Sequence, residues 1–367
     1  MSTLVIIVFI IGYLAIAFEH NIKIDKAAAA LFTGVICWLI YLMSGVAKET
    51  AIEELLHHLS DISSILFFLL GAMTIVELID SHDGFSIVTE KISTRSKGKL
   101  LWIISLLTFC LSSLLDNLTT AIVMTSMTAK ILENKNDRLW FTGMIVIAAN
   151  AGGAFSPLGD VTTTMLWIGG QITAENIIKE LFLPSIAVCI IPLLIVTPKF
   201  SGQTFIFNNA SWQKGVNKTE ANLILVTGVL LLVFVPVFKI LTHLPPFMGM
   251  LLSLSILWFV VSIIHFKKPY EEKKRLTAAH ALQKIDTPSV LFFLGILLAV
   301  SALQSFGLLK QLADVLDSTL GNIYLIGAAL GIISAIVDNV PLVAAAQGMY
   351  DLTKYPTDHH FWEFIAL

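Results

Sequence analysis

The feature that most limits this chain is a succession of apolar runs, each close to the length of a membrane-crossing helix. They fall at Leu4–Phe18, Ala27–Met43, Ile62–Ile79, Ile177–Val196, Leu223–Leu241, Met248–Ile264 and Val290–Leu303. As a helix, about 20 apolar residues cover the bilayer hydrocarbon. Of the 367 residues 56% are hydrophobic and 13% charged, whereas a soluble domain carries about 25% charged residues. Water could not solvate such a surface, so the expected fold is an all-α polytopic membrane protein. The net charge of −3 offers no grip on a polyanion, which argues against nucleic acid as a partner. The first run lacks a basic start and a small-residue cleavage site, and a second run follows at once. It reads as a retained helix rather than a signal peptide. Cys37, Cys110 and Cys189 all lie within apolar stretches and read as small core residues.

Three further apolar regions are interrupted. Leu100–Leu132 breaks at Asp116-Asn117, Trp140–Ile168 breaks across Asn150–Asp160, and Ile323–Ala346 breaks at Asp338-Asn339-Val340-Pro341. Non-helical backbone at membrane depth must be buried in protein or line a cavity, and broken helices of this kind hold the cargo of transporters. If the first and third regions are re-entrant hairpins and the second crosses, 18 of the 23 basic residues share one face, Lys97, Arg138 and Lys273 among them. The other face keeps 5, including Lys48 and Lys354. Positive charge marks the cytoplasmic side, so the N-terminus is expected outside, in the inner (plasma) membrane of a bacterium. Lys48–Leu59 and Glu271–Lys284 are amphipathic and expected to lie along the interface. The pairs His57-His58 and His359-His360 are expected to be solvated.

The two halves repeat. Asp61-Ile-Ser-Ser-Ile-Leu-Phe-Phe-Leu69 matches Asp286-Thr-Pro-Ser-Val-Leu-Phe-Phe-Leu294, Ser112–Asn117 matches Ser334–Asn339, and Ala27–Met43 matches Met248–Ile264. An odd number of crossings separates the copies, so the second is inverted. An inverted-topology repeat with re-entrant hairpins and broken helices favours alternating access. The organisation expected is a first repeat with its connecting helix at 1–197, a cytoplasmic linker at 198–220, and a second repeat at 221–367. The counterpart of Asn150 would fall near position 372, past Leu367, so the supplied sequence is expected to be truncated.

Asp116, Asn117, Thr119 and Thr120 sit at the first hairpin break, Asp338 and Asn339 at the second. An Asp at the bilayer centre costs roughly 2.5–3.5 kcal/mol on insertion scales. Two in matching positions point to a cation or proton that stabilises them, although both could simply cap half-helices. Asn150, Ser156, Asp160, Thr162 and Thr163 add oxygen donors at the middle break, where Gly152-Gly153 permits close approach and Pro157 stops a helix. Oxygen donors without His or Cys suit a hard ion. Glu77 is the remaining intramembrane acid, either a proton-relay member or a side chain that snorkels to the surface.

The motifs Ser112-Ser-Leu-Leu-Asp-Asn-Leu-Thr-Thr120, Asn150–Asp160 and Asp338-Asn-Val-Pro341 resemble the NhaD-type sodium/proton antiporters of the ion transporter superfamily. The resemblance implies a homodimer that exchanges internal Na⁺ or Li⁺ for external H⁺. It carries ion-site roles to Asp116, Asn117, Thr119, Thr120, Asn150, Asp160, Thr162, Thr163, Asp338 and Asn339, with Na⁺ at Asp116, Asn117, Asn150, Asp338 and Asn339. No cofactor is implied, since the ions are cargo.

A carboxylate short of water can hold either a proton or Na⁺ near neutral pH, and competition between the two makes an antiporter. The alternatives are a sodium-coupled carboxylate or other anion symporter and a metalloid efflux permease. No nucleophile–base pair or metal-ligand set suggests an enzyme.

Overall fold

In the computed structural model the residues described are 1–86, 94–204, 217–269, 273–334 and 338–367, with the side chain of Lys130 excepted. Lys91, Lys214, positions 205–216 of the expected linker and the start of the Glu271–Lys284 segment lie outside them. Among the described residues helix is the regular structure throughout, apart from one isolated bridge between Ser96 and Thr204. Lipid dictates this, because a helix satisfies its backbone polar groups within one segment.

Among the described residues five helices are long and apolar enough to cross a bilayer: Lys48–Ser81, Ala174–Val196 with its short 3₁₀ extension, Lys218–Thr242, Pro246–Ile264 and Thr287–Ser305. Ser2–Ala17 and Lys26–Leu42 are apolar but shorter, at 16 and 17 residues. Leu308–Leu320 and Ile323–Ser334 form a bent pair turned by 117° at Gly321-Asn322. The chain is an all-α polytopic membrane protein.

The residues gather into two compact units. The first comprises Met1–Leu69, Met165–Thr173 and Asp286–Ala366, and the second Leu70–Thr164 and Ala174–Ile285. Within the first, Lys26–Leu42 packs on Thr287–Ser305 along small residues. A Cβ on Gly295 would lie 2.4 Å from the Ala30 carbonyl carbon, and one on Gly34 2.5 Å from the Gly295 oxygen. The indole of Trp38 donates to Leu298 O at 3.0 Å and to Ser301 Oγ at 3.2 Å. At the base of this unit Thr173 N donates to Asp358 Oδ1 at 2.6 Å, and the Thr357 hydroxyl to Gly170 O at 2.7 Å.

Within the second unit a Cβ on Gly71 would sit 2.7 Å from Met250 Cγ. Gly71 and Gly295 lie one place apart in the repeated sequence, and Ala30 and Met250 lie in matching helices. The packing is therefore reciprocal: each half's glycine meets the other half's helix. Ser253 in Pro246–Ile264 donates to Leu231 O at 2.9 Å, and Gly228 admits Ile79, joining Lys218–Thr242 to the same group.

Several expectations change. Lys48–Leu59 is no separate interfacial segment, because Lys48–Ser81 is one helix of 34 residues. Neither proline nor glycine occurs between Lys48 and Leu70, and the Ser64 hydroxyl folds back onto Ser60 O at 3.2 Å. The matching stretch does break, since Asp286 caps the helix that starts at Thr287 and Pro288 fixes its first turn. Of Glu271–Lys284 the stretch Ala278–Lys284 is a helix capped by Thr277. Cys37 and Cys189 are buried, but Cys110 is exposed. His58 is half-buried against Trp38 and lies 3.3 Å from Ser305 Oγ, while His359 stacks on Tyr355.

Candidate ion-binding site

The first hairpin is built from Lys97–Ser112 and Asn117–Ile131. Its tip is pinned from one side, where the Ser112 hydroxyl donates to Ala149 O at 2.6 Å. Asp116 is the N-cap of the second arm, with Oδ1 accepting from Thr119 N at 2.8 Å. That bond accounts for one carboxylate oxygen. The other, Oδ2, is buried and finds no hydrogen-bond partner among the described residues, and the same holds for the neighbouring Thr120 hydroxyl. A cap needs one oxygen, and a second, bare oxygen out of water carries a large penalty until a cation or proton meets it.

Beside Asp116, the Asn117 amide nitrogen donates to Asn150 Oδ1 at 3.0 Å and to Asp160 Oδ2 at 2.6 Å. Asp160 is 9% exposed, and its Oδ1 accepts from Thr162 N at 2.9 Å and Thr162 Oγ1 at 2.8 Å. Three of the sequence-derived positions, Asn117, Asn150 and Asp160, thus converge through one amide. Asn150 does not lie at a break. The helix Lys135–Ala154 runs through it, its Nδ2 donates to Val146 O at 2.9 Å, and the chain leaves helix only at Phe155.

Two glycines explain this placement. A Cβ at Gly152 would stand 2.2 Å from Phe109 O and one at Gly159 2.3 Å from Ser112 O, so both sites press backbone against the hairpin. Close approach, rather than a turn, is what they provide. Ser156 and Thr163 enter the break but bind backbone: Thr163 Oγ1 donates to Ser156 O at 2.8 Å, and Ser156 Oγ accepts from Leu158 N at 3.3 Å. Thr164 ties down Pro157 O at 2.8 Å in the same way. These hydroxyls shape the loop, and Thr119 serves Asp116 with both its backbone and its side chain.

Asp338 and Asn339 belong to the other unit. Asp338 caps Asn339–Met349 by accepting from Val340 N at 3.1 Å, and the Ser334 hydroxyl donates to Asn339 Oδ1 at 2.6 Å. Tyr13 in the same unit has its hydroxyl buried within electrostatic reach of Asp338. Sequence reasoning missed it, because a tyrosine inside an apolar run carries no local signal. Glu77 pairs with Lys284 Nζ at 3.0 Å and accepts from Ser81 Oγ at 2.9 Å. Among the described residues no three His, Cys, Asp or Glu side chains cluster as a metal centre. The side-chain donors gathered around Asn117 are oxygens, the kind of ligand that suits a hard ion.

A model of the citrate transporter family matches residues 5–363. The chain belongs to that family. Sodium/proton antiporter 1 of Arabidopsis thaliana is 46% identical over 98% of this chain and 62% of its own length. This chain therefore spans a little under two thirds of that relative. Sodium/proton antiporter 2 of the same plant is 44% identical over 98% of this chain and 86% of its own. The Na⁺/H⁺ antiporter NhaD of Vibrio cholerae is 29% identical over 94% and 77%.

Proposed function

We propose that this citrate-transporter family member is a secondary antiporter that exchanges Na⁺, or Li⁺, for H⁺ by alternating access. The observation that carries the reading is the Asp116 carboxylate, with one oxygen used as a cap and the other buried and unpartnered among the described residues. Asn117, Asn150 and Asp160 form the adjoining oxygen-rich network, and Asp338 with Asn339 is the counterpart on the second hairpin. The names of the relatives support the cargo assignment. The reciprocal glycine packing supports an inverted repeat, and a homodimer in the plasma membrane with the N-terminus outside completes the proposal.

A second reading follows from the family's name, which points to a carboxylate as cargo. A carboxylate ligand would have to approach the bare oxygen of Asp116, and like charges at short range in low dielectric repel strongly. The test is a pH-gradient assay in everted vesicles holding the full-length protein, with Na⁺, Li⁺, K⁺, succinate or citrate added in turn. Collapse of the gradient by Na⁺ or Li⁺ alone is the expected result. Carboxylate-dependent uptake with no alkali-ion response would replace the proposal by a symporter.

A further inference from the structure

Just past the ends of Lys48–Ser81 and Pro246–Ile264, two imidazoles meet out of water. His82 and His265 are 0% and 1% exposed. Their rings are stacked with centroids 5.1 Å apart and planes 13° from parallel, and their Nε2 atoms are 2.8 Å apart. The hydrogen-bond network fixes the tautomers. His82 Nδ1 lies 2.6 Å from Leu78 O, a carbonyl that can only accept, so Nδ1 carries the hydrogen and His82 Nε2 is an acceptor. His265 Nε2 must then donate to it. That leaves His265 Nδ1 as the lone pair, and it is buried with no partner among the described residues.

The pair is complete when neutral and has no good place for another proton. A proton on His82 Nε2 would set two N–H groups head to head at 2.8 Å. A proton on His265 Nδ1 would place a charge in a buried spot with nothing to receive its hydrogen. The charged groups facing the pair are Asp83 from its own chain turn, Glu220 from Lys218–Thr242, and Lys268 and Lys273 from the segment after Pro246–Ile264. Lys268 and Glu220 are themselves ion-paired at 2.5 Å, so Glu220 is already engaged by a cation.

We propose that the His82–His265 stack is a latch that clasps these two helix ends together while neutral and parts on acidification of that face. By the basic-residue asymmetry it is the cytoplasmic face. Burial first, and then Lys268, lowers the His265 pKa to about 4, and burial likewise lowers that of His82. Each imidazole thus holds a proton less tightly clasped than free, where its ordinary value is about 6.5. The sign follows: the clasp is fully favoured above about pH 6.5 and weakens below it by up to about tenfold per unit for each imidazole, until the clasped pair itself titrates. For an exchanger that admits protons to the cytoplasm, release on acidification would slow further proton entry.

Hydrogen exchange on the full-length protein in liposomes tests the latch without reference to transport. Corrected for the intrinsic pH dependence of exchange, amides at 78–86 and 261–268 are expected to exchange about tenfold faster at pH 5.5 than at pH 7.5 in the wild type. In His265→Gln and in His82→Gln the same ratio should fall below about twofold. A wild-type ratio below twofold overturns the proposal, and so does a tenfold ratio that survives either substitution. In the vesicle assay, acidifying the latch face should inhibit the wild type several-fold more than His265→Gln; equal inhibition would also overturn it.

Discussion

Asp116 presents its two oxygens to two different tasks. One caps a helix, and an asparagine oxygen does that equally well. The other is bare, and only a carboxylate there balances a cation. Asp116→Asn should therefore leave the fold and membrane insertion intact while lowering Na⁺-dependent proton movement at least tenfold. The same holds for Asp338→Asn on the second hairpin. Exchange within twofold of wild type in a well-expressed variant would reduce that Asp to a cap. The glycines are a separate matter. At Gly152 and Gly159 a Cβ would stand 2.2 and 2.3 Å from backbone oxygens, which cannot swing aside as side chains do. Overpacking of this kind costs about 1–3 kcal/mol. Gly159→Ala should lower the thermal midpoint of the purified protein by several degrees, whereas Gly143→Ala, with open space around it, should not.

At the scale of elements, much was legible because the physics is local. Apolar length marked the spans, and the Asp-Asn pairs marked the hairpin breaks. What the sequence hid is decided by distant partners. Gly152-Gly153 resembles a helix break, yet helix runs through both, and at Gly152 the missing side chain leaves room for Phe109 O. Lys48–Leu59 resembles an interfacial segment, yet nothing there stops the helix that begins at Lys48, whereas Asp286-Thr-Pro288 stops its counterpart. The stack of His82 on His265 joins positions 183 apart and has no signature in either run. Orientation of these elements is testable through the basic asymmetry. Single cysteines at Lys97 and Lys273 should react only with reagents that reach the cytoplasm, and those at Lys48 and Lys354 only with external ones. External labelling at either of the first two would invert the assignment of the latch face as well.

At the scale of the whole molecule, the repeat places one carboxylate-bearing hairpin in each unit, so the proposed cycle turns on what those carboxylates hold. Asp116 Oδ2 has no hydrogen-bond partner among the described residues, and either Na⁺ or a proton can take that position but not both. When two ligands exclude each other, each reduces the other's affinity by the same factor. Apparent Na⁺ affinity should therefore weaken as pH falls: where the site is mostly protonated, each unit lower should raise the half-saturating Na⁺ concentration by up to about tenfold per competing proton. A carboxylate acting only as a cap gives no such slope, and an anion symporter gives a dependence on carboxylate instead. The latch would also respond to acid, but it acts on helix ends rather than on the ion's oxygens. Comparing wild type with His265→Gln separates the two effects. The slope of half-saturation against pH should survive in the variant while the acid-side fall in maximal rate disappears. A half-saturation constant flat from pH 6 to 9 in both proteins would leave Asp116 without its exchange chemistry, whatever the latch does.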